Sequence, residues 1–150
     1  MTLILIVAHA PLASALKAVA LHAYPDCAPG IEALDVAPDT LPDRVVAQAR
    51  ALLRSRGAGE TLVLTDIFGA SPANAAQRLA DDPSIRVVAG VNVPMLWRCL
   101  CYGGEPLDAL AARAVAGAAQ GVMQVASLRP QNQSLKPSSA HDQDHGHHQQ

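Results

Sequence analysis

The sequence predicts an α/β fold: a mostly parallel, open sheet of four strands with helices on both faces. Three observations carry this prediction. Four apolar, β-branched runs recur along the 150 residues. Helical patterns separate them in a βαβαβαβ rhythm, which right-handed crossovers turn into a parallel sheet. The first run has no polar alternation, as expected of a strand buried on both faces.

That first strand is Leu3–Ala8, an unbroken apolar segment that ends at His9. The chain turns through His9-Ala10-Pro11 into an alanine-rich helix over residues 12–23. The second strand is Ile31–Val36, and a helix over residues 40–56 follows it. Asp39 or Thr40 is its candidate N-cap, with Pro42 in the first turn. Gly57 stands where a helix C-terminal glycine belongs. Thr61–Thr65 is the third strand, followed by a helix over residues 72–81. Ile85–Ala89 is the fourth, followed by helices over residues 94–101 and 106–120. Val122–Ala126 reads as a short last strand. Residues 1–126 form one domain, and residues 127–150 form a tail rich in Gln, Ser, Pro, Asp and His that is expected to be disordered. Of the six histidines, His141, His145, His147 and His148 lie in that tail, where a solvated low-complexity segment outweighs a metal site.

Composition limits what the chain does. Hydrophobic residues make up 50% of it, but aromatics only 3%, so the core is built from Ala, Leu and Val. A net charge of −2 gives no electrostatic argument for nucleic acid. Arg44, Arg50, Arg54 and Arg56 form the densest basic stretch, which reads as a solvated helix face. The three cysteines, Cys27, Cys99 and Cys101, lack the spacing of a zinc knuckle or a redox pair. They read as reduced, buried thiols of a cytoplasmic protein. No run is long enough for a membrane span, and the N-terminal run lacks the flanks of a signal peptide.

Two strand ends carry the chemistry. Open α/β sheets place ligands at the carboxyl ends of their strands. His9 stands at the end of the first strand, and histidine is a nucleophile, acid or base near neutral pH. A capping or core histidine is an equal alternative on position alone. The third strand ends at Asp66, followed by Ile67-Phe68-Gly69-Ala70-Ser71-Pro72. The first and third strands are often neighbours in such sheets, which would set Asp66 beside His9. A carboxylate on one ring nitrogen fixes the tautomer and leaves the other nitrogen a lone pair. Gly69 permits a tight turn with inward amides, and Ser71 is the candidate N-cap of the next helix. Gly69, Ala70 and Ser71 are therefore the candidate phosphate-binding residues, with His9 and Asp66 catalytic. Asn92 either contacts the site or holds the turn into Pro94. No metal and no cofactor are called for.

The segments ILIVAHAPLASAL, LVLTDIFGASPANAA and VVAGVNVPML, in this order and spacing, resemble the mannose/fructose-type IIA component of the bacterial phosphoenolpyruvate-dependent sugar phosphotransferase system. The resemblance spans roughly residues 2–126. It implies that His9 is phosphorylated by the phosphocarrier HPr and passes the group to a IIB partner. It further implies that Asp66 orients the ring and that the Ser71 hydroxyl serves the phosphate. It also implies a homodimer that exchanges a C-terminal strand, matched here by Val122–Ala126. One departure stands out: the family usually has glycine after the histidine, where this chain has Ala10 and Pro11. Pro11 removes an amide from the turn.

Two rival readings keep the same site. One is a regulatory protein that docks partners according to its phosphorylation state. The other is the phosphotransfer subunit of a dihydroxyacetone kinase. A receiver domain fits poorly, because the first strand brings no paired acidic residues for Mg²⁺. A nucleotide-binding domain lacks its glycine-rich first turn.

Overall fold

The computed structural model describes residues 1–126. The tail beyond them, with its four histidines, lies outside the described residues. The element order is β1 (Leu3–His9), α1 (Leu12–Ala23), a 3₁₀ segment (Pro25–Gly30), β2 (Ile31–Val36), α2 (Pro42–Ser55), β3 (Thr61–Thr65), α3 (Ser71–Gln77), a 3₁₀ turn (Arg78–Asp81), β4 (Ile85–Ala89), α4 (Val93–Cys101) and α5 (Leu107–Gln120). All pairings are parallel and the strand order is β2-β1-β3-β4. The two inner strands, β1 and β3, are those with the most complete apolar burial. Leu5, Ile6, Val7, Leu62, Val63 and Leu64 are fully enclosed.

Successive side chains of a strand point to opposite faces, so each strand feeds two cores. Ile4, Ile6, Leu62 and Leu64 pack against Leu16 of α1, Leu96 of α4 and Leu110 of α5. Leu5, Val7 and Val63 pack against Val45 and Ala49 of α2 and Ala76 of α3. The result is a three-layer α/β/α sandwich, and each enclosed Leu or Ile contributes about 1.5–3 kcal/mol. Small residues set the spacing between α4 and α5. A Cβ at Gly117 would lie 2.3 Å from Arg98 Cγ, and one at Gly121 would lie 2.2 Å from Pro94 Cβ. Alanine at position 121 would therefore press on the Pro94 ring, and at position 117 it would displace the Arg98 side chain.

The sequence-based elements stand with four local corrections. α2 starts at Pro42, and its cap is Leu41 rather than Asp39 or Thr40. The extended Leu41 backbone presents its carbonyl to Arg44 and Val45, which opens the helix without a polar side chain. The helix expected over 72–81 is α3 followed by the tighter 3₁₀ turn. Its N-cap is Ala70, which places Ser71 at the first helical position, one residue later than expected. Residues 122–126 form no strand. Within the single chain they pair with no strand, and Val122, Met123 and Val125 are 75%, 69% and 93% exposed. Among the described residues, no helix is long and apolar enough to cross a membrane.

Candidate functional site

The β1–β3 register pairs Val7 with Thr65, so the next residues of both strands emerge at the same rim. This pairing brings His9 and Asp66 together across 57 positions of sequence. His9 Nδ1 lies 2.6 Å from Asp66 Oδ2. The same oxygen accepts the His9 backbone N–H at 2.9 Å, and Asp66 Oδ1 accepts the Ile67 N–H at 2.9 Å. The carboxylate is thereby fixed from three directions.

Partial burial on its own would raise the Asp66 pKa. The bonds from the His9 amide, the His9 ring and the Ile67 amide outweigh it and hold the carboxyl below its ordinary value. Asp66 is therefore ionised at neutral pH and only accepts. An acceptor-only carboxylate requires the proton of this bond to be carried by Nδ1, and in the neutral ring that leaves the lone pair on Nε2. The His9 side chain is 49% exposed against 11% for Asp66, so the orienting group is covered and the ring is open to solvent.

The turn after Asp66 is built around Gly69, whose φ of +87° is in the left-handed region that glycine adopts without strain. Ala70 N–H closes that turn onto the Ile67 carbonyl at 3.3 Å. Asn74 Nδ2 braces it on the Gly69 carbonyl at 3.1 Å. The Ala70 amide is thus engaged within the turn. Ser71 opens α3, in whose first turn the amides have no intrahelical acceptor. Ala10 N–H bonds to the Val36 carbonyl, and the Ala10–Pro11 peptide is cis.

Some contributions escaped the sequence reading. The start of α1 has no cap from its own N-cap residue, Pro11. Asp35 at the end of β2 does that work instead, accepting the Ser14 N–H at 3.0 Å. Only the β1–β2 pairing reveals it. Ile67 and Phe68 are 60% and 75% exposed beside the Asp66 carboxylate. An apolar pair after a strand end reads as core, and its exposure shows only once the turn is seen. Asn92 caps α4 by accepting the Met95 N–H at 2.9 Å and donates to the Ala118 carbonyl. It therefore holds the turn into Pro94. Cys99 alone among the cysteines is buried; Cys27 is half-buried and Cys101 exposed. Arg50 and Arg56 of the basic stretch pair with Asp81 and Glu32. Among the described residues, no three His, Cys, Asp or Glu side chains gather as metal ligands would.

The family profile described as PTS system fructose IIA component matches residues 3–115. The chain belongs to this IIA family. The mannose-specific EIIAB component of the phosphotransferase system of Escherichia coli K12 is 33% identical over 105 residues, which are 68% of this chain. The same match covers 32% of that protein, so the chain spans about a third of the length of the curated relatives it matches. Among solved structures, the mannose/sorbose-specific IIA subunit from Enterococcus faecalis superposes with a TM-score of 0.75 at 25% identity. That match covers 86% of this chain and 97% of the other. The phosphotransferase system component EIIA from Streptococcus agalactiae shares the fold, with a TM-score of 0.71 at 24% identity over 83% of this chain and 97% of its own. The parallel sheet of this IIA chain is thus that of its structural neighbours.

Proposed function

We propose that this IIA chain is a cytoplasmic phosphocarrier whose acceptor atom is His9 Nε2. The single observation that carries the reading is the His9 Nδ1–Asp66 Oδ2 bond of 2.6 Å beneath a half-exposed ring. The donor is the phosphohistidine of HPr. His9 Nε2 attacks phosphorus in line with the donor P–N bond, which breaks as the new P–N bond forms. The donor imidazole leaves with its electron pair. The charge that develops on the His9 ring is compensated by the ionised Asp66. The Ser71 hydroxyl and the backbone at Gly69 and Ser71 bind the equatorial oxygens. Ala70, whose amide closes the turn, contributes the extended backbone that aims Ser71. Such transfer depends on positioning and electrostatics, which a site this small provides without metal or cofactor.

The group then passes to a IIB-type partner in sugar uptake or its regulation. Exposed Ile67 and Phe68 supply an apolar surface beside the reactive nitrogen for the protein on either side of the relay. Exposed Val122, Met123 and Val125 support a homodimer in which a second copy covers them.

Intact-mass measurement after incubation with phosphoenolpyruvate, enzyme I and HPr tests the assignment. The wild-type chain should gain one phosphoryl group and His9→Ala none. A His9→Ala chain labelled as fully as wild type would overturn it, with exposed His22 as the control.

A further inference from the structure

At the amino end of the sheet, away from His9, two cysteines converge on one tyrosine. Tyr24 follows α1, and its carbonyl accepts the Cys27 N–H at 3.0 Å. That bond curls the 3₁₀ segment back and holds Cys27 next to Tyr24. From the other side, the Trp97 ring of α4 packs edge-on against Tyr24, with ring centroids 5.6 Å apart. Cys101 lies four residues after Trp97 on the same helix, so the two share a face one turn apart. Cys101 and Cys27 both lie near enough to the Tyr24 hydroxyl to act on it. Partial desolvation, then Cys101, then Cys27 raise its pKa, so it stays a neutral phenol beside the two thiols. Cys101 is exposed, Cys27 is half-buried, and both are free thiols. Cys99 is different. It is fully enclosed, and burial pushes its thiol up to about 12, which keeps it unreactive.

We propose that Cys27 and Cys101 form a reversible disulfide that ties the end of α1 to the end of α4. The oxidant is a small-molecule disulfide of the glutathione class. The exposed Cys101, as thiolate, attacks one sulfur of the small disulfide. That S–S bond breaks, and one small thiolate leaves. The Cys27 thiolate then attacks Cys101 Sγ, the mixed disulfide breaks, and the second small thiolate leaves. Two protein thiols are oxidised and one small disulfide is reduced to two thiols. The protons lost by the protein end on those leaving groups. Cys27 sits in a short 3₁₀ segment rather than in the sheet, so the adjustment that disulfide geometry demands falls on the less constrained partner.

The test uses the full chain, treated with oxidised glutathione and mapped by non-reducing peptide mass spectrometry. A Cys27–Cys101 cross-linked peptide is expected, with a rise in Tm of about 10 °C that dithiothreitol reverses. Cys99→Ser should keep the cross-link. Cys27→Ser should instead trap the small thiol on Cys101, with no rise in Tm. Mixed disulfides alone on the wild-type chain, a cross-link between two chains through Cys101, or a cross-link to Cys99 would each overturn the proposal.

Discussion

The two ends of the sheet use their charged side chains in opposite ways. At the amino end, Glu32 is held between Lys17 at 3.0 Å and Arg56 at 3.2 Å. Both of its oxygens are engaged, and the cluster closes on itself. At the carboxyl end, Asp66 holds His9 by a single ring nitrogen and leaves the other facing solvent. The amino-end cluster contributes to stability. The carboxyl-end pair leaves His9 Nε2 without a hydrogen-bond partner among the described residues, as the proposed acceptor role requires. Both ends also hold apolar residues. At the amino end the Tyr24–Trp97 pair is half-buried, whereas at the carboxyl end Ile67 and Phe68 face water.

The sharpest way to break this comparison is Asp66→Asn. The amide keeps the size of the side chain but removes its charge, and it offers a donor where an acceptor is needed. The phosphorylation rate should fall about a hundredfold or more, a barrier increase of about 3 kcal/mol, while the Tm changes little. Transfer kinetics from phospho-HPr measure this, and an unchanged rate would refute an orienting role for the carboxylate.

The helix layer offers a second test, also at the carboxyl end. Gly121→Ala sets a methyl group against the rigid Pro94 ring and should cost about 1–3 kcal/mol in denaturant unfolding. Gly117→Ala meets the side chain of Arg98, which can swing away, so it should cost less. The reverse ranking would mean that α4 shifts as a body rather than yielding locally.

At the amino end, Glu32→Gln should lower stability by about 1 kcal/mol, because the pairs are half-buried and screened. The phosphorylation rate of the folded chain should not change. A rate loss matching that of Asp66→Asn would erase the distinction between the two ends.

The smallest effect concerns pH. The Asp66 pKa is depressed in the folded chain, so its stabilisation is complete above the unfolded carboxylate value of about 3.9 and is lost as pH falls through the lower folded value. Wild type should therefore lose more stability than Asp66→Asn across that acidic window. Parallel curves would show that the carboxylate gains nothing from its three bonds.

Hydrophobic periodicity made the four strands legible to the residue, apart from His9 ending β1. An unbroken apolar run between turn residues has few other ways to bury itself. Asp66 beside His9 was legible for a related reason: the carboxyl ends of the first and third strands are often neighbours in doubly wound sheets. Helix starts were less legible. Leu41 and Ala70 cap α2 and α3 through backbone conformation, without the polar side chain that a sequence reading looks for. Asp35 was invisible as the support of α1 because its partner lies in another element. The link from Cys27 to Cys101 likewise runs through the packing of Tyr24 on Trp97, which joins two elements. Contacts within an element follow local pattern, whereas contacts between elements need the topology.

The pairing of β1 with β3 has a consequence for the chain while it is being made. His9 leaves the ribosome long before Asp66, and 57 positions separate them. A nascent chain that has released β1 but not β3 carries the imidazole without the carboxylate that orients it. Under the phosphocarrier reading, a chain therefore gains its oriented acceptor only once β3 has docked on β1.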